Sequence, residues 1–168
     1  LYLAIDDATR GIPHAQFYFT EALYSLEHTL KQGLLKKGIP TKLYVDNAKV
    51  YRSNHLKVIC ATLGILLIFC EPYSPEGKGK CERFIETLRR NFLACLDMQK
   101  IKTLEDLNSS LWAWIEGEYH HKIHSSINEA PIDKFLRNSK DIKFPEPAIL
   151  NDLFLYKVTR RVKKDGTF

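Results

Sequence analysis

Two spacings of apolar residues alternate along the chain, and glycines, prolines or polar runs mark each change from one to the other. Leu1-Tyr-Leu-Ala-Ile5 and Ala15-Gln-Phe-Tyr-Phe19 are rich in strand-forming residues and flank the polar Asp6-Asp-Ala-Thr-Arg-Gly11, which predicts two strands joined by a turn. From Thr20 to Lys37 the spacing becomes helical. Leu23, Leu26, Leu30 and Leu34 form one stripe, Thr20 can cap it, and Gly38 with Pro40 ends it. Thr41-Lys-Leu-Tyr-Val-Asp46 and Ile65-Leu-Leu-Ile-Phe-Cys70 read as buried strands, separated by a polar connection and a short helix from His55 to Leu63. Glu71 to Gly79 has two prolines, two glycines and no period, so a mobile loop is expected, with a plain surface loop as the bland alternative.

Helical spacing returns at Cys81, Phe84, Ile85, Leu88, Phe92, Cys95 and Leu96, which form a core face. Thr103-Leu-Glu-Asp106 has the form of a capping box, and the helix behind it would bury Leu104, Leu107, Leu111, Trp114 and Ile115. Ala130-Pro-Ile-Asp-Lys-Phe-Leu136 predicts a short helix opened by proline. Pro145 and Pro147 then mark a linker, placed at 141–152.

At 168 residues and 45% hydrophobic, the chain suits one core and one principal domain. No apolar run approaches the ~20 residues of a membrane span, and nothing at Leu1 resembles a signal peptide, so a cytoplasmic protein without membrane contact is expected. Cys60, Cys70, Cys81 and Cys95 show no C-x-x-C spacing and fall in apolar patterns, which reads as reduced core cysteines. The net charge of +5 is uneven: Lys78–Arg90 carries +3, Lys157–Asp165 carries +4, and the remainder nets −2. Such clustering suits a polyanionic partner, against the bland reading of solvated lysines and arginines.

The chemistry centres on Asp46, closing a strand, and Glu82, in the first turn of a helix, with 35 residues between them. Two hard oxygen donors so placed can share a divalent cation. On that helix Glu82, Glu86 and Arg89 fall on a different face from the apolar one, and Glu86 is expected to pair with Arg90 or Arg89; the bland reading is a solvated polar face. Asp6 and Asp7 invite a metal reading but suit turn residues better, bonding nearby backbone N–H groups. His120 and His124 are four apart, yet no further pair or nearby cysteine completes a zinc set.

The sequence resembles the DDE transposase and retroviral integrase superfamily, and more nearly the bacterial insertion-sequence transposases. The resemblance rests on the Asp46–Glu82 interval, Tyr2-Leu-Ala-Ile-Asp-Asp-Ala-Thr-Arg10, Leu43-Tyr-Val-Asp-Asn47, Pro72–Phe84, Tyr119-His-His-Lys-Ile-His-Ser125 and Arg160–Thr167, in the family's order. It implies an α/β, RNase H-like fold, a mixed central sheet flanked by helices, whose first strand, bearing the first catalytic Asp, lies upstream of Leu1. It further implies a catalytic core over 1–140, the linker 141–152, and over 153–168 the first strand of a C-terminal β-barrel domain, extended and poorly anchored. Asp46 and Glu82 would then be catalytic and hold Mg²⁺ or Mn²⁺, two ions being expected once DNA and the upstream Asp are present. Tyr73, Lys78, Lys80, Arg83, Arg89 and Arg90 would contact DNA, a mobile 71–79 loop would admit it, and the active complex would be a homo-oligomer. Tyr119–Ser125 is implied to be structural. Two other readings stand beside DNA cleavage and strand transfer: an inert DNA-binding relative, and an RNase H-like nuclease.

Overall fold

The computed structural model describes residues 1–70 and 79–155. Strands β1 (Tyr2–Ala4) and β2 (His14–Gln16) pair antiparallel, with Leu3 opposite Ala15. Helix α1 (Leu23–Lys37) packs across both. Strand β3 (Lys42–Val45) is followed by a single 3₁₀ turn, helix α2 (Asn54–Thr62) and strand β4 (Leu66–Phe69). Strands β3 and β4 run parallel, Tyr44 opposite Ile68 and Val45 opposite Phe69. A parallel pair needs a crossover between its strands, and α2 supplies it. Helices α3 (Gly79–Asn91), α4 (Leu104–Gly117), α5 (Pro131–Arg137) and α6 (Pro147–Leu153) complete the described elements. Among the described residues the strands form two two-stranded sheets, one antiparallel and one parallel, with helices packed on them.

Two apolar clusters hold these elements. In one, Ile12 and Ala15 of the hairpin meet Phe84, Leu88 and Phe92 after the turn of α3, and Leu111, Trp114 and Ile115 of α4. The Phe84 and Tyr119 rings meet edge to face with centroids 5.0 Å apart, an arrangement the ring quadrupoles favour. In the other, the α1 stripe of Leu26, Leu30 and Leu34 meets Leu56, Ile59 and Cys60 of α2, Ile65 before β4, and Leu150 of α6. Asn108 of α4 also binds the chain just beyond β2, its Oδ1 accepting from the Phe17 N–H at 2.8 Å and its amide donating to the Phe17 carbonyl at 3.1 Å.

The capping box forms as expected: Thr103 accepts from the Asp106 N–H at 3.0 Å, and Asp106 accepts from the Thr103 N–H at 2.9 Å. Gly38 ends α1 at φ +86°, a conformation that suits glycine, and donates to the Leu34 carbonyl. Asp6 is a turn residue, accepting from the Ala8 and Thr9 N–H groups at 3.3 and 3.1 Å.

Other expectations need correction. Thr20 does not cap α1. Extended Ala22 takes the cap position without a side-chain bond, and the Thr20 carbonyl instead accepts from the Ser25 hydroxyl. Strands β3 and β4 are not buried on both faces: Tyr44 is 47% exposed and Leu66 56%, whereas Leu43 and Leu67 pack against the second cluster. Uniformly apolar composition marks a strand without saying which face is covered. Cys95 is exposed, because α3 stops at Asn91 and the following 3₁₀ turn breaks the helical spacing; Cys60 and Cys70 are buried and Cys81 half-buried, all as free thiols. The 141–152 stretch, expected as a linker, carries most of α6. Pro147 opens that helix, and Leu150 is fully buried against α1 and α2, with Leu153 and Phe154 packed beside it. The expected mobile loop over 71–79 falls outside the described residues except for Gly79, and the 153–168 strand does so from residue 156 on.

Candidate active site

Parallel pairing brings the C-terminal ends of β3 and β4 together, and Asp46 leaves the sheet there. Cys70, just past β4, donates its N–H to the Val45 carbonyl at 2.8 Å, and Asn47 donates its amide to the Cys70 carbonyl at 2.5 Å. Arg52 then donates to the Asn47 Oδ1 at 3.2 Å. Half-buried Asp46 accepts from the Ala48 N–H at 2.9 Å, a local turn that directs the chain into the 3₁₀ segment Lys49–Arg52. The end of a parallel strand is where an open α/β sheet presents functional groups, since its backbone leaves the ladder while the strand below holds it in place.

The 3₁₀ turn carries Tyr51 back over this edge. Its hydroxyl is pushed up to about 12, first by burial and then by the negative charge of Asp46, with Tyr2, Cys81 and Glu21 adding smaller effects. The Tyr2 hydroxyl is raised as well, by burial first and then by Glu21 and Asp46. Cys81, in the first turn of α3, has its thiol raised by burial and then by Cys70 and Glu82. Tyr51 thus senses the charge of both Asp46 and Cys81, and Cys81 that of Cys70 and Glu82. Asp46 is half-buried where the chain leaves β3, and Glu82 is exposed in the first turn of α3.

Asp46 and Glu82 supply hard carboxylate oxygens, the donors that Mg²⁺ and Mn²⁺ prefer, so they fit such an ion as part of its ligand set. Among the described residues, no three His, Cys, Asp or Glu side chains gather into a metal-binding group. His120 has another job: its Nε2 accepts from the Ile12 N–H at 2.9 Å, and its Nδ1 sits 3.1 Å from Glu116 Oε2. Burial pushes its pKa down, which keeps the acceptor nitrogen unprotonated.

The basic residues divide. Arg83, Arg89 and Arg90 are exposed on α3, and Arg90 pairs with Glu86 at 2.5 Å as expected. Lys80 pairs with Asp7 in the β1–β2 turn, and Asp7 also meets Arg10. The hydrogen bond from Lys80 is the main reason the Asp7 carboxyl lies below its usual range. Sequence reasoning placed Asp7 only in its turn, because nothing local shows that this turn reaches α3. Tyr51 was missed for a similar reason: it sits in a stretch read only as a polar connection. Tyr73 and Lys78 lie outside the described residues.

Comparison with known proteins bears on the family and the fold. The family model described as the TnsB C-terminal domain matches residues 5–97, more than half of the chain. The sequence is 30% identical over 139 residues to the transposase for transposon Tn552 of Staphylococcus aureus, covering 77% of this chain and 29% of that protein. It is 37% identical over 149 residues to the transposase for insertion sequence IS1202 of Streptococcus pneumoniae, covering 78% of this chain and 31% of that protein. The chain thus spans about three-tenths of these relatives. In fold it is similar to the catalytic core domain of BIV integrase, with a TM-score of 0.65 and 18% identity over 82% of this chain and 85% of that one. The fold is RNase H-like α/β. No helix among the described residues is long and apolar enough to cross a membrane.

Proposed function

This chain belongs to the TnsB C-terminal domain family, with a transposase and integrase-type core, and from that premise we propose that it performs metal-dependent DNA strand cleavage and strand transfer. What supports the reading is the family match together with the position of Asp46 just past the end of β3, where Tyr51 senses both Asp46 and Cys81, the residue before Glu82. Asp46 and Glu82 would hold Mg²⁺ or Mn²⁺. Such ions, when bound, lower the pKa of an attacking water or 3′-hydroxyl and stabilise the leaving oxygen of an in-line displacement.

The protein's own part is placement. The Val45–Cys70 backbone bond and the Asn47 bridge hold the β3 end rigid, so Asp46 does not have to be ordered when DNA arrives. Tyr51, kept neutral by burial, covers one side of the site without adding charge. Arg89 on the Glu82 face, and Tyr73 and Lys78 beyond the described residues, would take DNA phosphates or sugars, contacts that position the duplex without reading its sequence. Two carboxylates leave an Mg²⁺ shell mostly open. A further acidic ligand would be needed, and the 168 residues alone are expected to cleave poorly. The active form is expected to be a homo-oligomer on DNA.

The test is Mn²⁺-dependent strand transfer by the full-length transposase carrying this chain. Asp46→Asn and Glu82→Gln should each abolish it while leaving the thermal midpoint unchanged. Strand transfer that survives Asp46→Asn overturns the reading, and preferential cleavage of RNA–DNA hybrids would replace it with a nuclease.

A further inference from the structure

On another side of α3, a cavity of about 330 Å³ opens between that helix, the β1–β2 turn and the Tyr119–Ser125 stretch. Its apolar wall is Ile5, Phe84 and Tyr119. Its polar rim is basic: Arg10, Lys80, Arg83 and Lys122 line it, and no carboxylate among the described residues does. Among the described residues the one acid bonded to this rim is Asp7, which pairs with both Arg10 and Lys80 and leaves that group net positive by three.

Several bonds build the basin. Arg10 has a side chain only 16% exposed and a backbone φ of +64°. Its carbonyl accepts from the Tyr119 hydroxyl at 3.0 Å, and its Nε donates to Ser126 Oγ at 3.3 Å. Tyr119 thus ties down the Arg10 backbone, while Ser126 and Asp7 hold its guanidinium. His124 also lines the cavity; its pKa is lowered by burial first and then by the positive charges of Arg10 and Arg83. On α3, Lys80, Arg83, Thr87 and Asn91 form a single stripe facing the cavity. That stripe lies roughly 150° round the helix from Glu82, Glu86 and Arg89, at 100° per residue. The basic residues of α3 thus serve two surfaces, and a strand leaving the Glu82 side has a second cationic place to rest.

We propose that this basin binds a backbone phosphate of DNA, with Arg83 donating through its guanidinium, Lys122 as a point charge, and Arg10, held by Ser126 and Asp7, adding positive charge at the wall. The proposal rests on the reading of the chain as a DNA-handling core and adds a contact on the far side of α3. A rim that stays net positive after the Asp7 pairs suits a phosphodiester, and the neighbouring Ile123, 73% exposed, offers an apolar ledge for a deoxyribose.

The test is fluorescence anisotropy of a labelled duplex with this chain, in EDTA, from 50 to 200 mM salt. Arg83→Glu combined with Lys122→Glu changes two exposed side chains and is expected to leave the fold intact. It should weaken binding at least tenfold and flatten the salt slope by about 0.9, the amount expected for the one phosphate lost. Lys57→Glu, exposed on α2, is the charge control and should leave the slope as it is. An unchanged affinity and slope in the double variant overturn the basin. So does a double variant that loses inorganic pyrophosphate while holding duplex normally, since the site would then serve free phosphate. With metal removed, the readout is independent of Asp46 and Glu82: strand transfer surviving Asp46→Asn sinks the catalytic reading and leaves the basin standing, and an unchanged slope does the reverse.

Discussion

Lowering the pH should loosen this fold through His14. The side chain is 4% exposed at the start of β2. Its Nε2–H donates to Gln16 Oε1 at 3.1 Å, its Nδ1 accepts from the Lys36 ammonium at 3.3 Å, and its ring stacks on Trp112. Protonation would turn that acceptor into a donor facing a lysine. Burial first, and Lys36 next among the lowering causes, bring its pKa from the ordinary 6.5 to about 4, although the Gln16 bond pulls the other way. The folded value is depressed, so the stabilisation is complete above pH 6.5 and is lost as pH falls toward 4. At ~1.4 kcal/mol for each tenfold step the whole interval is worth about 3 kcal/mol, and solvent screening reduces the expected loss to about 2 kcal/mol. The assay is urea unfolding of the native chain and His14→Gln between pH 8 and 4.5. The native chain should lose about 2 kcal/mol more than the variant across that range, because the other histidines titrate in both. Parallel curves would refute the reasoning.

Two further perturbations test the packing. Leu150→Ala empties a fully buried site between α1 and α2 and should cost about 2–5 kcal/mol in urea unfolding; a change under about 0.5 kcal/mol would mean that α6 does not belong to the core. Thr103→Ala removes half of a capping box on an exposed helix start and should cost about 1 kcal/mol, read as a lower thermal midpoint; Thr103→Ser should restore most of it.

How much of this was legible in the sequence depends on the kind of signal. The stripes of α1 and α4 and the cap at Thr103 could be read because they are local: 3.6-residue spacing and a side chain three positions away decide them. The strand ends at Asp46 and Cys70 were equally plain, but the exposure of Leu66 was not, since coverage is decided by what packs on each face. At Pro147 one residue had two meanings. Proline breaks a helix from inside and opens one at its first position, and the Leu150, Leu153, Phe154 spacing was the clue that separates them. Asp46 and Glu82 are proposed from motif and interval. The approach of Asp7 to Lys80, and of Arg10 to Ser126, spans 73 and 116 residues of chain, so no local pattern announces the basin they help to form.

Asn108 gives a helix side chain the role of a neighbouring β-ladder. By occupying both the amide and the carbonyl of Phe17, it denies that stretch of backbone to any incoming extended peptide. Self-association through strand annexation is blocked at that point, so copies of this molecule that assemble there must recognise one another through side chains.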